Sequence, residues 1–242
     1  MTIETNGIFL ESSLLTPEQQ KAVEFLTEFS KQMVVTAFLE DNIPTSLPGL
    51  VKEIYRVCDH VMDGRHKSGT KPPCKKGCFW CCFLRVKVTP LEIFCIIDYL
   101  QSSLKPGELS ALLQWLAETD EITRGMDGNR RVSAKKICPL IAGNECLVYP
   151  VRPLACRTYH SLNASDCESS LADDQRSLRV RLDISAVGMG ILAGLIDGLR
   201  EIGLQTRLLE LIAGLRIASD EPESMRRWLA GIPLFSEAEI ER

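Results

Sequence analysis

The sequence is poor in histidine, and it lacks the short motifs of common hydrolases and nucleotide-binding enzymes. Three histidines in 242 residues leave little capacity for general-base catalysis near neutral pH. The chain contains no G-x-x-x-x-G-K-[ST] loop, no H-E-x-x-H motif and no G-x-S-x-G elbow. It therefore offers no nucleotide site and no hydrolase site of a known pattern.

A large excess of charge is also missing. The net charge is −4, so there is no global positive charge suited to nucleic acid, and the chain has no acidic tail. The N-terminus, Met1–Thr5, lacks the positive region and the continuous apolar stretch of a secretory signal peptide. We therefore expect a cytoplasmic protein in a reducing compartment, with neither a membrane nor a nucleic acid as its partner.

Cysteine, in contrast, is abundant in the sequence. In a reducing compartment, the ten cysteines indicate a metal or redox site rather than a framework of disulfides. Cys58 and Cys95 each lie inside an apolar helical pattern. A free thiol packs well as a small hydrophobe, so we expect these two residues to be buried in the core.

The other eight cysteines form two clusters along the chain. The first is Cys74, Cys78, Cys81 and Cys82, spaced C-x3-C-x2-C-C, with Gly77 where the backbone has to turn. Cysteines this close together do not bridge easily, so the pattern favours several thiolates converging on one soft metal. The second cluster, about sixty residues further on, is Cys138, Cys146, Cys156 and Cys167.

The two separated clusters predict one shared site that is closed by folding. Thiolates favour Zn²⁺ or an iron–sulfur cluster over Mg²⁺ or Ca²⁺. Eight thiols are enough for two four-coordinate centres, or for one cluster with spare thiols. Because adjacent Cys81 and Cys82 cannot easily point at one ion, one of them ligates while the other reaches a second metal, bridges two metals or stays free.

Several residues near the thiols are candidates for supporting roles. Arg152 and Arg157 flank the later thiols and are predicted to donate hydrogen bonds to sulfur or to balance charge. Tyr149 lies beside them and is predicted to shape the turn, and His160 is an alternative ligand. A basic loop, Arg65–Lys76, either offsets thiolate charge or forms a phosphate-binding patch with the aromatic pair that follows it at positions 79–80.

The pattern of apolar residues is mainly helical. Capping boxes with proline at the first helical position begin helices after Thr16 and after Thr89. Residues 1–15 are predicted to be a loose arm, and Phe83–Val88 a short strand. Further helices are predicted at 50–61, 91–104, 108–124, 204–215 and 221–229, with 43–48 a break between the first two helices and 126–136 a loop.

A stripe of glycines marks the C-terminal third of the chain. Gly190, Gly194 and Gly198 recur every four residues in an apolar run and would let two helices approach closely. The uncharged run Ile184–Ile196 is shorter than the ~20 residues that a bilayer requires, so we predict no membrane span. Packing against the first helices is the favoured use of the stripe, and a homodimer formed through the C-terminal helices is the alternative.

Together these patterns predict a mostly α fold: a helical domain wrapped around a cysteine-rich, loop-dominated metal site, with at most one or two short strands. The predicted segments are N-terminal helices packing on the core (1–64), a cysteine-cluster metal-binding domain (65–175) and a C-terminal helical segment (176–242).

At the cysteines, the chain resembles the CxxCxxCC family, also called the zinc- or iron-chelating domain family or YkgJ-like cysteine cluster proteins. The resemblance covers about residues 70–170. It consists of the first cluster, Cys138-Pro139-Leu140, and a run from Cys146 through Tyr149 and Arg152-Pro153 to Cys156-Arg157, with a tail that leads to Cys167. The first spacing here is x3, wider than the family's name. The resemblance implies metal chelation. A related domain occurs in flagellin lysine N-methylases, which are longer.

Three functional hypotheses follow. The first is a metal-binding protein that holds zinc or an iron–sulfur cluster in a structural or metal-handling role. The second is an iron–sulfur enzyme, or an accessory protein, that modifies a protein or peptide partner as a methylase-like protein does. The third is a binding module switched by redox chemistry, in which oxidation of Cys81 or Cys82 releases the metal.

Overall fold

The computed structural model of the chain describes residues 2–5, 8–11, 15–39, 43–67, 74, 77–172 and 179–240. In this part of the chain the fold is mostly α, as predicted. The helices are α1 Pro17–Phe38, α2 Ile43–Lys67, α3 Pro90–Ser103, α4 Pro106–Thr123, α5 Gly128–Ser133, α6 Leu154–Arg157, α7 Ala164–Ala172, α8 Leu182–Glu201, α9 Leu211–Asp220 and α10 Ser224–Leu229.

Short antiparallel ladders join parts of the chain between the helices. The strands are β1 Thr2–Thr5, β2 Ile8–Glu11, β3 Lys87–Val88, β4 Ile141–Ala142, β5 Glu145–Cys146 and β6 Leu209–Glu210. They pair as β1–β2, β3–β6 and β4–β5. The described residues thus contain six strands, more than the one or two expected, although no strand exceeds four residues. The predicted strand Phe83–Val88 is reduced to β3, because its partner β6 offers only two residues.

The N-terminal segment differs from the loose arm predicted for residues 1–15. Residues 2–5 and 8–11 pair as an antiparallel hairpin, with Thr2 opposite Glu11 and Thr5 opposite Ile8. The sequence between the two strands is Asn6-Gly7, a dipeptide typical of two-residue hairpin loops. That dipeptide is the signal from which the hairpin could have been predicted.

Both predicted capping boxes are present. The Thr16 hydroxyl accepts a hydrogen bond from the Gln19 backbone, and the Gln19 side chain accepts one from the Thr16 backbone at the start of α1. Thr89 and Glu92 form the same reciprocal pair at the start of α3. Each pair satisfies two backbone groups that a helix start otherwise leaves without partners.

Helix α2 is longer at both ends than the sequence suggested. It begins at Ile43, through the region 43–48 predicted as a break, and continues past Gly64 to Lys67. Pro48 lies inside the helix, where it removes one backbone hydrogen bond. Its neighbour Leu47 is fully buried and the Cys95 thiol donates to the Pro48 carbonyl at 3.8 Å, so contacts with α3 offset that loss.

The glycine stripe of α8 packs against α1, as favoured from the sequence. A Cβ added at Gly190 would lie 2.8 Å from the Val23 carbonyl oxygen, and one at Gly198 would lie 2.7 Å from the Val34 Cβ. Side chains at these positions would therefore clash with α1. Because glycine has no side chain, the backbones of α1 and α8 can approach closely at these positions.

Among the described residues, α8 is also the one helix long and apolar enough to cross a membrane, with a mean hydropathy of 1.6. In the fold, 78% of that apolar window is buried inside the protein. Its hydrophobicity is therefore used for packing in the core.

Helix α3 lies at the centre of the core and also fixes part of the cysteine-rich region. It packs against α2 and α9 and is buried along most of its first two turns. The buried carboxyl of Glu92 accepts hydrogen bonds from the Leu154 backbone at 2.8 Å and from the Tyr55 hydroxyl at 3.2 Å. The first of these bonds holds the start of α6, which carries Cys156, against the helical core.

Helices α3, α4 and α10 lie close to their predicted positions, whereas two other regions differ from the prediction. The helix predicted from residue 204 begins instead at Leu211, because Gly203 turns the chain with φ of +77° and residues 209–210 form β6. The predicted loop 126–136 contains α5, which Asp127 caps by accepting from the Arg130 backbone at 2.8 Å.

Candidate metal centre

The first cysteine cluster lies on a turn followed by a short 3-10 helix. Gly77 has φ of +89°, the left-handed conformation expected where the chain curls between Cys74 and Cys78. Cys81 and Cys82 lie on the 3-10 helix Trp80–Phe83, immediately before β3. This part of the site is therefore held by turns rather than by a long helix.

The second cluster is spread over a hairpin and two short helices. The Cys138 carbonyl accepts from the Ile141 backbone at 3.1 Å, and Ile141 pairs with Cys146 across the β4–β5 hairpin. Cys156 lies on the four-residue α6, and Cys167 lies on α7. Each of these thiols is thus carried by an element too short to be stable alone in water.

Folding brings the two clusters together. The Cys138 backbone donates a hydrogen bond to the Cys82 carbonyl at 2.8 Å. Helix α7 packs against the 3-10 helix that carries Cys81 and Cys82. Charge–charge interactions join Cys82 to Cys138 and Cys156, and join Cys167 to Cys81 and Cys78. The sulfurs of both clusters therefore share one region of the molecule.

Burial keeps most of these thiols protonated when no metal is bound. It raises the pKa of Cys74 to about 11 and that of Cys138 to about 12. It also raises the pKa values of Cys146, Cys156 and Cys167. Metal binding must therefore displace protons, as it does wherever thiolates are the ligands.

The vicinal pair is the exception. The Cys81 and Cys82 thiols share a hydrogen bond, which lowers the pKa of Cys81 and raises that of Cys82. The two sulfurs therefore face each other rather than pointing apart along the 3-10 helix. Within this pair, Cys81 therefore loses its proton more readily than Cys82.

The three residues predicted to support the thiols have different surroundings. The Arg152 guanidinium stacks over the Tyr149 ring at 4.3 Å and lies within electrostatic range of Cys81, Cys146 and Cys156. Arg157 instead pairs with Asp59 of α2 at 2.6 Å. Tyr149 thus orients Arg152, which suits the charge-balancing role predicted for that arginine.

Arg157 belongs to the interface between the site and α2. Its guanidinium stacks over the Tyr55 ring at 4.5 Å, and its Nη2 donates to the Pro150 carbonyl at 2.7 Å. These contacts hold the segment between Cys146 and Cys156 against α2, so Arg157 positions the backbone of the site.

Sequence reasoning missed Arg131, which lies in the region predicted as a loop. Its side chain is 1% exposed, and its Nη1 donates to the carbonyls of Phe83 and Lys136. Among the described residues its Nε and Nη2 have no hydrogen-bond partner, and its charge interacts with Glu210 and, less strongly, with Cys138. Asp127 is a typical N-cap residue and lies just before Arg130 and Arg131. It was the one sequence signal that could have indicated a helix here.

Ser161 was also missed, and no pattern in the sequence points to it. It is fully buried, hydrogen-bonds to Cys74 through its backbone and contacts the Cys167 sulfur through its hydroxyl. It therefore joins the start of the first cluster to the end of the second. His160, the alternative ligand beside it, is buried.

The remaining sequence predictions concern the surroundings of the site. Cys58 and Cys95 are fully buried in the core, as predicted. The Phe79 and Trp80 rings pack against each other, with centroids 4.9 Å apart. Most of the basic loop 65–76 lies outside the described residues, so its predicted roles remain predictions.

The donor set fits a soft metal in its chemistry. All ten cysteines are free thiols, so no disulfide competes for them. In the described ranges, no group of three or more His, Cys, Asp or Glu side chains already has the arrangement needed to hold an ion.

The arginines near the thiols fit the same kind of group. Arg131 and Arg152 each have a buried guanidinium N–H that finds no hydrogen-bond partner in the part of the chain that the structure describes. A buried cation is costly unless a negative charge lies nearby. The Glu210 carboxyl acts on Arg131 more strongly than Cys138 does, and thiolates around a divalent metal would add to that negative charge.

Comparison of the chain with models of protein families, with curated proteins and with solved structures found no match.

Proposed function

We propose that this is a cytoplasmic metal-binding protein in which both cysteine clusters bind a thiophilic metal, as zinc or as an iron–sulfur cluster. Its role is structural or metal-handling. The ligands are Cys74, Cys78, Cys81, Cys82, Cys138, Cys146, Cys156 and Cys167. The family resemblance of residues 70–170 agrees with this proposal.

The observation that carries the proposal is the meeting of the two clusters at the 3-10 helix. Cys82 is linked through its backbone to Cys138, and α7 brings Cys167 against the same helix. About sixty residues separate the clusters in the sequence, and apolar packing alone gives no reason to gather thiols from both. A shared metal gives that reason, because soft metals bind several thiolates at once.

The short length of the elements that carry the thiols supports a structural role in particular. The elements that carry the thiols are a turn, a 3-10 helix, a two-residue ladder and two short helices. Such elements gain little stability from their own hydrogen bonds. A bound metal would link them to one another and stabilise the region much as zinc stabilises small domains.

The arginines beside the thiols agree with the proposal. Arg131 and Arg152 place positive charge beside thiols from the second cluster. When a metal is bound, its thiolates add negative charge beside Arg152 and beside Arg131, which already interacts with the Glu210 carboxyl. The arginines in turn favour the deprotonated form of the ligands.

The test is anaerobic purification of the full chain, followed by elemental analysis and an X-ray absorption edge. We expect metal in a fixed ratio to protein, with sulfur as the neighbouring atom. A colourless protein holding zinc identifies the structural form, and a brown protein holding iron and sulfide identifies the cluster form. A folded chain that contains no metal, and that binds neither zinc nor iron when these are supplied under reducing conditions, overturns the proposal.

A further inference from the structure

We propose that the protein has a further binding site, which takes a phosphate monoester that carries an aliphatic chain. The site is a cavity of about 650 Å³ between the end of α8, the β3–β6 ladder and the C-terminal residues. We call it the basic cavity, after the cations Lys87, Arg200 and Arg207 in its lining. A volume of this size is typical of pockets that hold a small molecule. Its described lining includes no cysteine, so the site goes beyond the proposed function.

The fold forms the basic cavity where the chain leaves α8 and turns back. Gly203 has φ of +77° and turns the chain just after α8 ends at Glu201. The chain then runs to β6, which pairs with β3. The Ile240 backbone donates to the Leu208 carbonyl at 2.9 Å and holds the C-terminal residues beside this segment. Residues far apart in the sequence are thus held around one space.

The charged residues in the described lining of the basic cavity are all cations. Lys87 comes from β3, Arg200 from the last turn of α8 and Arg207 from the segment before β6. No Asp or Glu is among the described residues that line it. Like charges around one space repel one another, and an anion bound between them would relieve that repulsion.

The ion pairs of the two arginines leave donors for such an anion. Arg200 pairs with Asp197, and the Arg207 Nε lies 3.2 Å from a Glu239 carboxylate oxygen. A guanidinium has five N–H donors, so one carboxylate does not occupy all of them. The Arg200 and Arg207 side chains are 58% and 63% exposed, so a ligand can reach both.

Helix stability accounts for only one of the three cations. Arg200 lies in the last turn of α8, where a positive charge offsets the helix dipole. Lys87 and Arg207 lie outside the helix, so the dipole gives no reason for their position. Their meeting with Arg200 at one cavity therefore points to an anionic ligand.

The uncharged part of the lining indicates the rest of the ligand. Ile196, Leu208 and Ile240 form an apolar wall, and no aromatic ring is among the described lining residues. A nucleobase binds best where it can stack on an aromatic ring, whereas an aliphatic chain needs only apolar contact. The Thr206 hydroxyl also lines the cavity and can donate to an anion. A phosphate suits this lining, because it carries up to two negative charges and binds guanidinium groups with paired hydrogen bonds.

Another cavity of the molecule provides the comparison. It measures about 690 Å³ and lies between α3, α4, α9 and α10. Its lining has charges of both signs, with Asp98, Glu221 and Glu223 beside Arg226. Like Arg200, Arg226 is exposed and pairs with a carboxylate three residues before it. Arg226 is therefore a matched control, and its variant also shows whether a ligand binds in this other cavity.

The test is calorimetric titration of the full chain with hexyl phosphate in a phosphate-free buffer of low ionic strength. Inorganic phosphate and hexanol test the two parts of the ligand separately. We expect one hexyl phosphate to bind per chain, at least about tenfold more tightly than either part alone. Arg200→Gln and Arg207→Gln should each weaken binding about tenfold, and Arg226→Gln should leave it unchanged. Added salt should weaken binding to the unmodified chain.

Circular dichroism checks that each variant is folded. If one arginine variant does not fold, the other decides, together with the three probes on the unmodified chain. No saturable binding at millimolar hexyl phosphate overturns the proposal, and so does equal affinity in the unmodified chain and in the Arg200 and Arg207 variants. Equal weakening in all three arginine variants overturns it as well.

Membrane phospholipids also carry a phosphate beside aliphatic chains, so a second arm separates the two sources. The chain is sedimented with vesicles of phosphatidylglycerol. We expect no cosedimentation, because the basic cavity is sized for one small molecule. Binding to the vesicles without binding to hexyl phosphate would mean that a membrane surface, and not a soluble monoester, is the partner, and would overturn the proposal.

Discussion

The α1–α8 pair and the cysteine site are held together in opposite ways. The two helices are 22 and 20 residues long and meet along glycines, with backbones in close contact and an apolar core on either side. The cysteine site is built from turns and short elements, the longest of which is the nine-residue α7. The first region obtains its stability from packing, whereas we propose that the second obtains it from metal ligation. This difference means that each region should respond to a different perturbation.

The largest expected effect is that of Cys156→Ser. Removing this proposed ligand should lower the metal content of the protein and loosen the cysteine site. Structural zinc contributes about 10–16 kcal/mol in small zinc-finger peptides, and here we expect part of that loss because the helices keep their own core. Elemental analysis, chemical unfolding and helical circular dichroism measure it. The control Cys58→Ala should keep its metal. Unchanged metal and unchanged unfolding in Cys156→Ser would contradict the proposal.

Gly194→Ala should act on the other region only. Its new Cβ would meet the Thr27 carbonyl and would lie 2.9 Å from the Lys31 backbone nitrogen, so the two helices must move apart. Overpacking of this kind costs about 1–3 kcal/mol. Chemical unfolding should show that loss, while metal content per folded chain stays constant.

The matched control for Gly194→Ala is Gly64→Ala. Gly64 also lies in a helix, but a Cβ added there would have no atom within 4 Å. We expect this variant to gain up to about 1 kcal/mol, because alanine favours the helix over glycine. Equal destabilisation by both substitutions would mean that the close approach of α1 and α8 is not what Gly194 provides.

Glu210 should make stability depend on pH without involving metal. Burial raises the pKa of this carboxyl to about 7. The folded state therefore holds the proton more tightly than the unfolded state. The stability that this proton contributes is complete below about pH 4.5 and is lost as pH rises to about 7, which amounts to about 3 kcal/mol at most.

Glu210→Gln tests this contribution, because its amide oxygen can still accept from the Ala213 backbone, which lies 2.8 Å from the carboxyl. We expect the variant to be more stable than the unmodified chain at pH 8 and to match it near pH 5. Unfolding of metal-free protein at the two pH values measures the difference. A variant less stable at both pH values would show that the cap, not the buried charge, dominates.

The smallest expected effect is that of Arg131→Gln on metal affinity. Loss of the cation near Cys138 should weaken zinc binding about tenfold, the lower end of the range for residues that support metal ligands. Competition with a chelator measures this affinity. Arg130→Gln is the control, because the Arg130 side chain is 76% exposed and should not affect binding. Equal affinities in the two variants would remove Arg131 from the site.

Sequence patterns were informative wherever the cause is local. Thr16 and Thr89 begin helices because their side chains cap backbone groups within the next turn, and Gly77 turns the chain because it has no Cβ. The patterns failed where a distant contact decides. Pro48 remains inside a helix that contacts α3 through the Cys95 thiol, and Arg131 is buried beside the 3-10 helix, whose Phe83 carbonyl accepts a hydrogen bond from it.

The sequence by itself determined that the protein is mostly helical, that Cys58 and Cys95 lie in the core and that α8 can approach another helix closely. These properties follow from side-chain size, hydrophobicity and spacing along one element. Only the tertiary structure decided which thiols become neighbours. Cys167 lies beside the first cluster, because α7 packs against the 3-10 helix that carries Cys81 and Cys82. Such proximity depends on how loops return in space, and spacing along the chain does not encode it.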